Sequence, residues 1–414
     1  MSKSNYKETL LKNGLRLITS IDKNTLIAIV SLWVKTGSRY ENTNQLGYTH
    51  FLEHLLCKKI NNLYNEADRK QIGAYVNGVT NKENTRFIIE TQTKYAGDSI
   101  KVLSELIKDI EISPDDFEIN KKIILEEALI EGNKPLKKFN RLISNIFFNK
   151  HPLSQSPIGS MDVIKNSTIE QLREYQHNYF IPEKSAIIVI SNLGHEEILK
   201  EVEQNFLLWT GNQNKEITSA PFISNHEAYL HIPSNTEQTQ IVLNFHSPGA
   251  LNPEEEASLV IIRNYLGLGS NSFLAKKLRH ESGLVYTVNA YNIRHTDTGI
   301  FQIQTASSNP IKTVKIIFDS IADFIENLSP QEVKEIKEQM YNNFERFFSN
   351  PKNQYAFLGE GFILFNKLFK PEDYRKMIEQ STFKNIIDVA KKYLKKDNSL
   401  LALMGPTDIK DGIN

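Results

Sequence analysis

The sharpest chemical signal in this 414-residue chain is a short segment with two histidines and a glutamate, Thr49-His50-Phe51-Leu52-Glu53-His54. His50 and His54 are four residues apart, so on a helix they share one face, where two imidazoles can bind one zinc ion. Glu53 lies close enough to that face to accept a proton from a water molecule that the metal activates. This H-x-x-E-H order inverts the H-E-x-x-H spacing of many metalloproteases. The segment therefore predicts a zinc-dependent hydrolytic site.

A catalytic zinc site needs a third protein ligand, and beside two histidines a carboxylate is the expected type. The predicted helix that includes residues 123–131 offers three acids, Glu126, Glu127 and Glu131. Two of them directly follow the apolar run Ile123-Ile124-Leu125, which sets them apart from the acids of an ordinary solvated helix face. From the residues alone, the choice among the three acids stays open.

Cys57 is the only cysteine, so the chain has no internal disulfide and no cysteine-based zinc finger or iron–sulfur cluster. It falls on the same helical stripe as His54. A single cysteine is usually a small buried hydrophobic residue, and we do not expect Cys57 to bind the metal.

Charge and composition restrict the partners of the protein. Lysine plus arginine and aspartate plus glutamate both total 49, so no global field attracts nucleic acid or an anionic membrane. The N-terminus shows no secretion or import signal, and no apolar run approaches the roughly 18 residues that a membrane span needs. We therefore expect a cytoplasmic protein that binds neither nucleic acid nor membranes.

The same plan of elements recurs in the two halves of the chain. Strand-like runs surround the predicted helix of the H-x-x-E-H segment, and a similar series of strands and helices follows residue 226. The polar stretch 210–225 lacks periodicity and predicts a linker. We therefore expect an α+β fold of two homologous halves, residues 1–209 and 226–414, each an antiparallel sheet with helices packed on one face.

Six segments in a fixed order extend the signal over residues 11–153. They are Leu11–Arg16, Gly37–Glu41, Gly47–His54, Ile72–Thr85, Ile124–Glu127 and His151–Leu153. Together they resemble the inverted-motif zinc peptidases of the insulysin, pitrilysin and mitochondrial processing peptidase family. Such a series in the right order is far more specific than any single motif.

The resemblance implies a role for each residue of the H-x-x-E-H segment. His50 and His54 are implied to be zinc ligands, with one zinc ion per chain, and Glu53 is implied to be the general base. Glu127 is implied to be the third ligand. Glu131 is the alternative third ligand if the number of residues between His54 and the third ligand is misjudged.

Two residues near the third ligand in the sequence affect the surroundings of the metal without being assigned as ligands. Glu126 is expected to support the ligands and not to bind zinc itself. Family members usually have another glutamate seven residues before the third ligand, where this chain has Asn120. Because groups behind the ligands orient them, this departure is expected to weaken zinc binding or slow the reaction without abolishing either.

The second half carries its own signature at residues 267–286. This glycine-containing stretch lacks both common phosphate-binding patterns, so we do not expect a nucleotide site. Arg279 and Tyr286 match an arginine and a tyrosine that, in active family members, point from the C-terminal half at the zinc-bound peptide. The resemblance implies that both donate hydrogen bonds to the substrate carbonyl and its developing negative charge.

Asn77 and the segment Thr80–Thr85 resemble the strand that lines the cleft of the family. There an extended peptide adds to a sheet edge, where main-chain pairing binds any sequence and side chains add selectivity. We therefore expect Asn77 and Glu83 to contact the peptide substrate.

The resemblance also implies a partner chain. Larger family members close four such domains around the substrate, and this chain has two. Because it keeps both the zinc site and the Arg279–Tyr286 pair, we expect a homodimeric endopeptidase that encloses peptides or unfolded segments. A heterodimer with a related chain, for example in leader-peptide removal, is one alternative. A non-catalytic subunit is another, although such subunits typically lack ligands or the glutamate base.

Overall fold

The computed structural model describes residues 5–63, 74–108, 110–211 and 228–412. Of the predicted linker, residues 212–225 lie outside the described residues, so the linker and the boundaries at 209 and 226 stay predictions. The described residues form two compact units. The first takes its residues from Met1–Lys138, Lys150–Ala220 and Arg346–Lys370, and the second from Phe139–Asn149, Pro221–Glu345 and Pro371–Asn414.

The first unit is built on a six-stranded sheet. Its strands are β1 (Asn5–Leu10), β2 (Arg16–Ile21), β3 (Ile27–Val34), β4 (Tyr75–Thr80), β5 (Thr85–Gln92) and β6 (Ser185–Ser191). They lie in the order β1-β2-β6-β3-β5-β4, so β4 is an edge strand. All neighbours are antiparallel except β2 and β6, which run parallel.

The second unit contains a five-stranded sheet with β7 (Ala228–Pro233), β8 (Thr239–Pro248), β9 (Val288–Arg294), β10 (Thr298–Ser307) and β11 (Ser399–Gly405). The order is β7-β11-β8-β10-β9, with β7 and β11 parallel and all other neighbours antiparallel. Without β1, the first sheet has the same succession of parallel and antiparallel neighbours.

This shared topology confirms the prediction of an α+β fold with two homologous halves. The expectation of purely antiparallel sheets is wrong, because each sheet contains one parallel pair. Parallel neighbours need a long crossover connection, and most of each unit lies between the two strands of its parallel pair.

Fourteen α-helices are assigned within the described ranges. They are α1 (Tyr48–Leu63), α2 (Ala96–Ser104), α3 (Pro114–Asn133), α4 (Pro135–Phe148), α5 (Met161–Asn166), α6 (Ile169–Tyr179), α7 (His195–Phe206), α8 (Pro253–Gly267), α9 (Phe273–Ala275), α10 (Pro310–Asn327), α11 (Pro330–Phe348), α12 (Pro351–Phe365), α13 (Pro371–Gln380) and α14 (Phe383–Tyr393). A π-helical turn, Lys276–Glu281, continues α9. None of the helices that the structure describes is long and apolar enough to cross a membrane.

Helices cover both faces of the first sheet, which departs from the expectation of one covered face. Strand β3 shows why: Val30 and Leu32 belong to the main core with α1, whereas Ile29 and Trp33 belong to a second core. Successive strand residues point to opposite faces, so a strand buried on both sides is apolar throughout. The second core is closed by Leu358 and Phe362 of α12.

Candidate metal centre

Helix α1 is held at its N-terminus by a buried carboxylate. Glu41 accepts hydrogen bonds from the backbone N–H groups of Gly47 and Thr49, each at 2.8 Å. These donors would otherwise lack a partner at the start of the helix. Gly47 has φ +98°, a conformation that favours glycine. Burial raises the pKa of Glu41 to about 7, against the opposing effect of these hydrogen bonds.

The anchored helix places the two predicted histidine ligands side by side. The ring centroids of His50 and His54 are 4.6 Å apart, and the ring planes are nearly perpendicular at 77°. One ring nitrogen of each histidine and one carboxylate oxygen of Glu53 all lie within 4.8 Å of one another. The H-x-x-E-H segment therefore forms one compact cluster.

Helix α3 brings a second carboxylate to this cluster. Oε2 of Glu127 lies 3.5 Å from Nε2 of His54 and 3.8 Å from Nε2 of His50. Oε2 of Glu53 lies 3.9 Å from Nε2 of His50. A single oxygen of Glu127 therefore lies close to both imidazoles.

The other acids of α3 lie elsewhere. The carboxylate of Glu131 is 3.0 Å from the ammonium group of Lys137, and Glu126 is exposed. Asn120 is buried and donates from Nδ2 to the carbonyl of Asp116 on its own helix, at 2.8 Å. Of the three acids that the sequence left open, the structure brings Glu127 to the histidine pair.

The electrostatics of the cluster suit a divalent metal ion. Burial and, to a smaller extent, the neighbouring His54 lower the pKa of His50 to about 4, so His50 is neutral at pH 7 and can bind a metal. Nδ1 of His50 is buried and has no hydrogen-bond partner among the described residues. Donor atoms around a tetrahedral zinc ion stand about 3.4 Å apart, given bond lengths near 2.1 Å. Two imidazoles and Glu127 therefore fit zinc.

Glu53 has surroundings different from those of Glu127. Burial raises the pKa of Glu53, although the nearby His54 opposes this shift. The thiol of Cys57 donates a hydrogen bond to Oε1 of Glu53 at 3.2 Å, and burial and the Glu53 charge raise the pKa of the thiol. Cys57 therefore contacts the predicted base and remains a neutral thiol.

The edge strand β4 runs directly beside Glu53. A Cβ atom on Gly78 would lie 2.1 Å from Oε1 of Glu53 and 2.5 Å from Sγ of Cys57. The backbone of β4 can approach the carboxylate this closely because Gly78 has no side chain. Asn77, the neighbouring residue on β4, is half-buried.

Glu83 has a position that does not suit the predicted substrate contact. It is 5% exposed, and its carboxylate lies 2.7 Å from the guanidinium group of Arg39, whose side chain is fully buried. A carboxylate buried in such an ion pair is not presented to a peptide.

Arg279 and Tyr286 lie together in the second unit. The guanidinium carbon of Arg279 is 5.2 Å from the ring centroid of Tyr286, within the range of a cation–π contact. Arg279 is exposed, and Tyr286 is 78% exposed. Both side chains are therefore accessible from outside the unit.

Sequence reasoning gave no role to Glu41 and missed the contact between Cys57 and Glu53. Glu41 ends one of the six matching segments, but it is separated from α1 by a loop, so no local capping pattern reveals it. Cys57 follows Glu53 by four residues, and that helical spacing could have indicated the contact.

Comparison with known proteins agrees with this site. Residues 16–160 match the family model of insulinase (peptidase family M16), and residues 166–340 match that of the peptidase M16 inactive domain. The chain belongs to the M16 family of peptidases and is a zinc protease, which confirms the resemblance found in the sequence.

Individual relatives extend over nearly the full length. An uncharacterized zinc protease of Rickettsia bellii is 23% identical, with 98% of this chain and 99% of the relative covered. The solved structure of a protease from Helicobacter pylori has a TM-score of 0.86 at 19% identity, covering 97% of this chain and 100% of the other. A chain of complex III2 from Candida albicans has a TM-score of 0.83 at 16% identity, covering 99% and 98%. At these identities, the structural matches show the fold alone.

Proposed function

We propose that this protein is a zinc-dependent endopeptidase that hydrolyses peptides or unfolded segments. The observation that carries the proposal is the position of one Glu127 oxygen, 3.5 and 3.8 Å from the two histidine nitrogens, with Glu53 beside them. His50, His54 and Glu127 hold one zinc ion per chain. Neither the exposed Glu126 nor Asn120, whose amide bonds to Asp116 of its own helix, is assigned a contact with these ligands.

The reaction is hydrolysis of a peptide bond. Zinc, when bound, acts as a Lewis acid that activates water and polarises a carbonyl group. Glu53 accepts a proton from the attacking water and delivers it to the nitrogen of the departing amine as the C–N bond breaks. Burial raises the pKa of Glu53, a direction that favours holding the accepted proton until it is delivered.

The peptide binds in an extended conformation along β4. An edge strand offers unpaired backbone groups, and the contact of Gly78 with Glu53 puts this edge beside the base. Asn77 is half-buried on the same strand and contacts the bound peptide. Glu83 takes no part in binding, because it is buried against Arg39.

The active form is a homodimer that encloses its substrate. Arg279 and Tyr286 of one chain serve the zinc site of the other, where both donate hydrogen bonds to the substrate carbonyl as negative charge develops. Their exposure in the second unit supports a role towards a group outside it. A heterodimer with a related chain would use the same residues.

The test compares cleavage of a mixed pool of 10- to 40-residue peptides by the wild type and by Glu53→Gln, with mass-spectrometric detection. Glutamine keeps the size of the side chain and leaves the proposed ligands in place, so zinc content serves as the control. We expect cleavage by the wild type and none by the variant. A zinc-loaded wild type that cuts no peptide would refute the homodimeric endopeptidase and favour a heterodimer or a non-catalytic subunit.

A further inference from the structure

The two oxygens of the Glu53 carboxylate have different neighbours. Oε2 lies 3.9 Å from Nε2 of His50, on the side of the proposed zinc ligands. Oε1 accepts a hydrogen bond from the thiol of Cys57, at 3.2 Å. A general base needs one oxygen within about 2.6–3.2 Å of the group that it deprotonates. The carboxylate therefore has one oxygen turned towards the histidine pair and one held by the thiol.

The thiol donor belongs to the same rigid element as the base. Cys57 follows Glu53 by four residues on α1, so the two side chains are neighbours on one face of the helix. Burial and the neighbouring Glu53 charge raise the pKa of the thiol, so the thiol keeps its proton and can donate it. A thiol is a weak donor, but a charged acceptor strengthens the hydrogen bond.

The edge strand β4 covers this contact. A Cβ atom on Gly78 would lie 2.1 Å from Oε1 of Glu53 and 2.5 Å from Sγ of Cys57, so the backbone of β4 packs against both atoms. No water molecule fits between this backbone and the hydrogen-bonded pair. The thiol therefore takes the place that water would have at Oε1.

We propose that Cys57 is a positioning residue for the hydrolytic reaction: its thiol holds Oε1 of Glu53, so that Oε2 alone faces the water that loses its proton. This inference rests on the proposed function, since it concerns the base of the same site. The terminal torsion of a glutamate side chain is broad, so a carboxylate that nothing holds samples many orientations. The hydrogen bond restricts this torsion before the substrate arrives.

The kinetic test compares Cys57→Ala with Cys57→Ser, two variants of similar size of which the second keeps a donor. Cys57→Ala should lower kcat by about tenfold, the effect of losing one hydrogen bond to a charged group. KM should stay within about twofold and zinc content should be unchanged, because the change affects the base and not the ligands. Cys57→Ser should keep kcat close to the wild-type value. Equal kcat in the two variants overturns the positioning role and leaves the endopeptidase in place.

A second readout needs no cleavage. Cys57 is the only cysteine, so its S–H stretching band in the infrared, in a range free of other protein bands, reports this thiol alone. In the zinc-loaded wild type the band should lie at lower frequency than in Glu53→Ala, because a carboxylate acceptor weakens the S–H bond. Glu126→Ala, which removes an exposed carboxylate of α3, should leave the band unshifted.

The infrared result separates this proposal from the proposed function. If the band is shifted as expected and the wild type cuts no peptide, the hydrolytic function fails while the held carboxylate stands. The same frequency in the wild type and in Glu53→Ala shows that the thiol does not hold the carboxylate, and it refutes the positioning role even if peptides are cut.

Discussion

At the scale of single residues, two carboxylates near one histidine pair have different surroundings. The side chain of Glu53 is 11% exposed, its pKa is raised by burial, and the Cys57 thiol donates to one of its oxygens. Glu127 is 42% exposed, and a single oxygen of it lies close to both imidazoles. These differences support the proposed division between a base and a ligand.

The ion pair of Glu83 gives a prediction at the same scale. Glu83→Gln leaves the buried guanidinium group of Arg39 without its opposite charge, which should lower the free energy of unfolding by about 3 kcal/mol. Tryptophan fluorescence during urea denaturation checks this, because Trp33 and Trp209, the only two tryptophans, both belong to the first unit.

The control for this prediction is peptide affinity. If Glu83 only stabilises the fold, KM for a cleaved peptide stays within about twofold of the wild-type value at a temperature where the variant is folded. A clear rise in KM with unchanged stability would restore Glu83 as a substrate contact.

At the scale of elements, the start of α1 should make stability depend on pH. The pKa of Glu41 is about 7 in the folded protein, compared with 4.5 for an unperturbed glutamate carboxyl group. The folded state therefore binds the proton more tightly, so the stabilisation is present at low pH and is lost as pH rises towards 7. Relative to Glu41→Gln, the wild type should lose roughly 2–3 kcal/mol of unfolding free energy between pH 5 and pH 8.

Urea denaturation of wild type and Glu41→Gln at pH 5, 6, 7 and 8, both saturated with zinc, measures this difference. The contributions of all other titrating groups cancel when the unfolding free energy of Glu41→Gln is subtracted from that of the wild type at each pH. A difference that stays constant with pH, or that changes in favour of the wild type as pH rises, would contradict the buried, proton-binding state of Glu41.

How much of these elements can be predicted depends on how far apart in the sequence the interacting residues are. The H-x-x-E-H face could be predicted because a spacing of four residues fixes neighbours on a helix. The Arg39–Glu83 pair joins residues 44 apart, and no local pattern reveals such a contact. The parallel strand pairs and the covering of the first sheet by α12 depend in the same way on distant segments. The substrate contact predicted for Glu83 therefore conflicts with its burial, and the direction of two strand pairs was predicted wrongly.

At the scale of the whole molecule, the proposed dimer predicts complementation between two inactive chains. Glu53→Gln removes the base, and Arg279→Ala removes a group that we assign to the site of the partner. A heterodimer of the two variants contains one site with an intact Glu53 that faces an intact Arg279 on the other chain. Co-expression should therefore restore up to about half of the wild-type activity, because one of two sites is complete.

The control is each variant purified alone, in which every site of the homodimer lacks one group. Activity of the differently tagged, co-purified heterodimer measured against these controls checks the prediction. A heterodimer no more active than Arg279→Ala alone would mean that Arg279 acts within its own chain or has no role in the reaction.

The central claim is that His50, His54 and Glu127 together hold a zinc ion. The most direct measurement is anomalous X-ray diffraction at the zinc absorption edge, from crystals of the zinc-loaded protein. We predict one strong peak per chain, about 2.0–2.2 Å from a nitrogen of each histidine and from a carboxylate oxygen of Glu127. A peak that is bound through Glu131 in place of Glu127, or no peak at the histidine pair, would contradict the account.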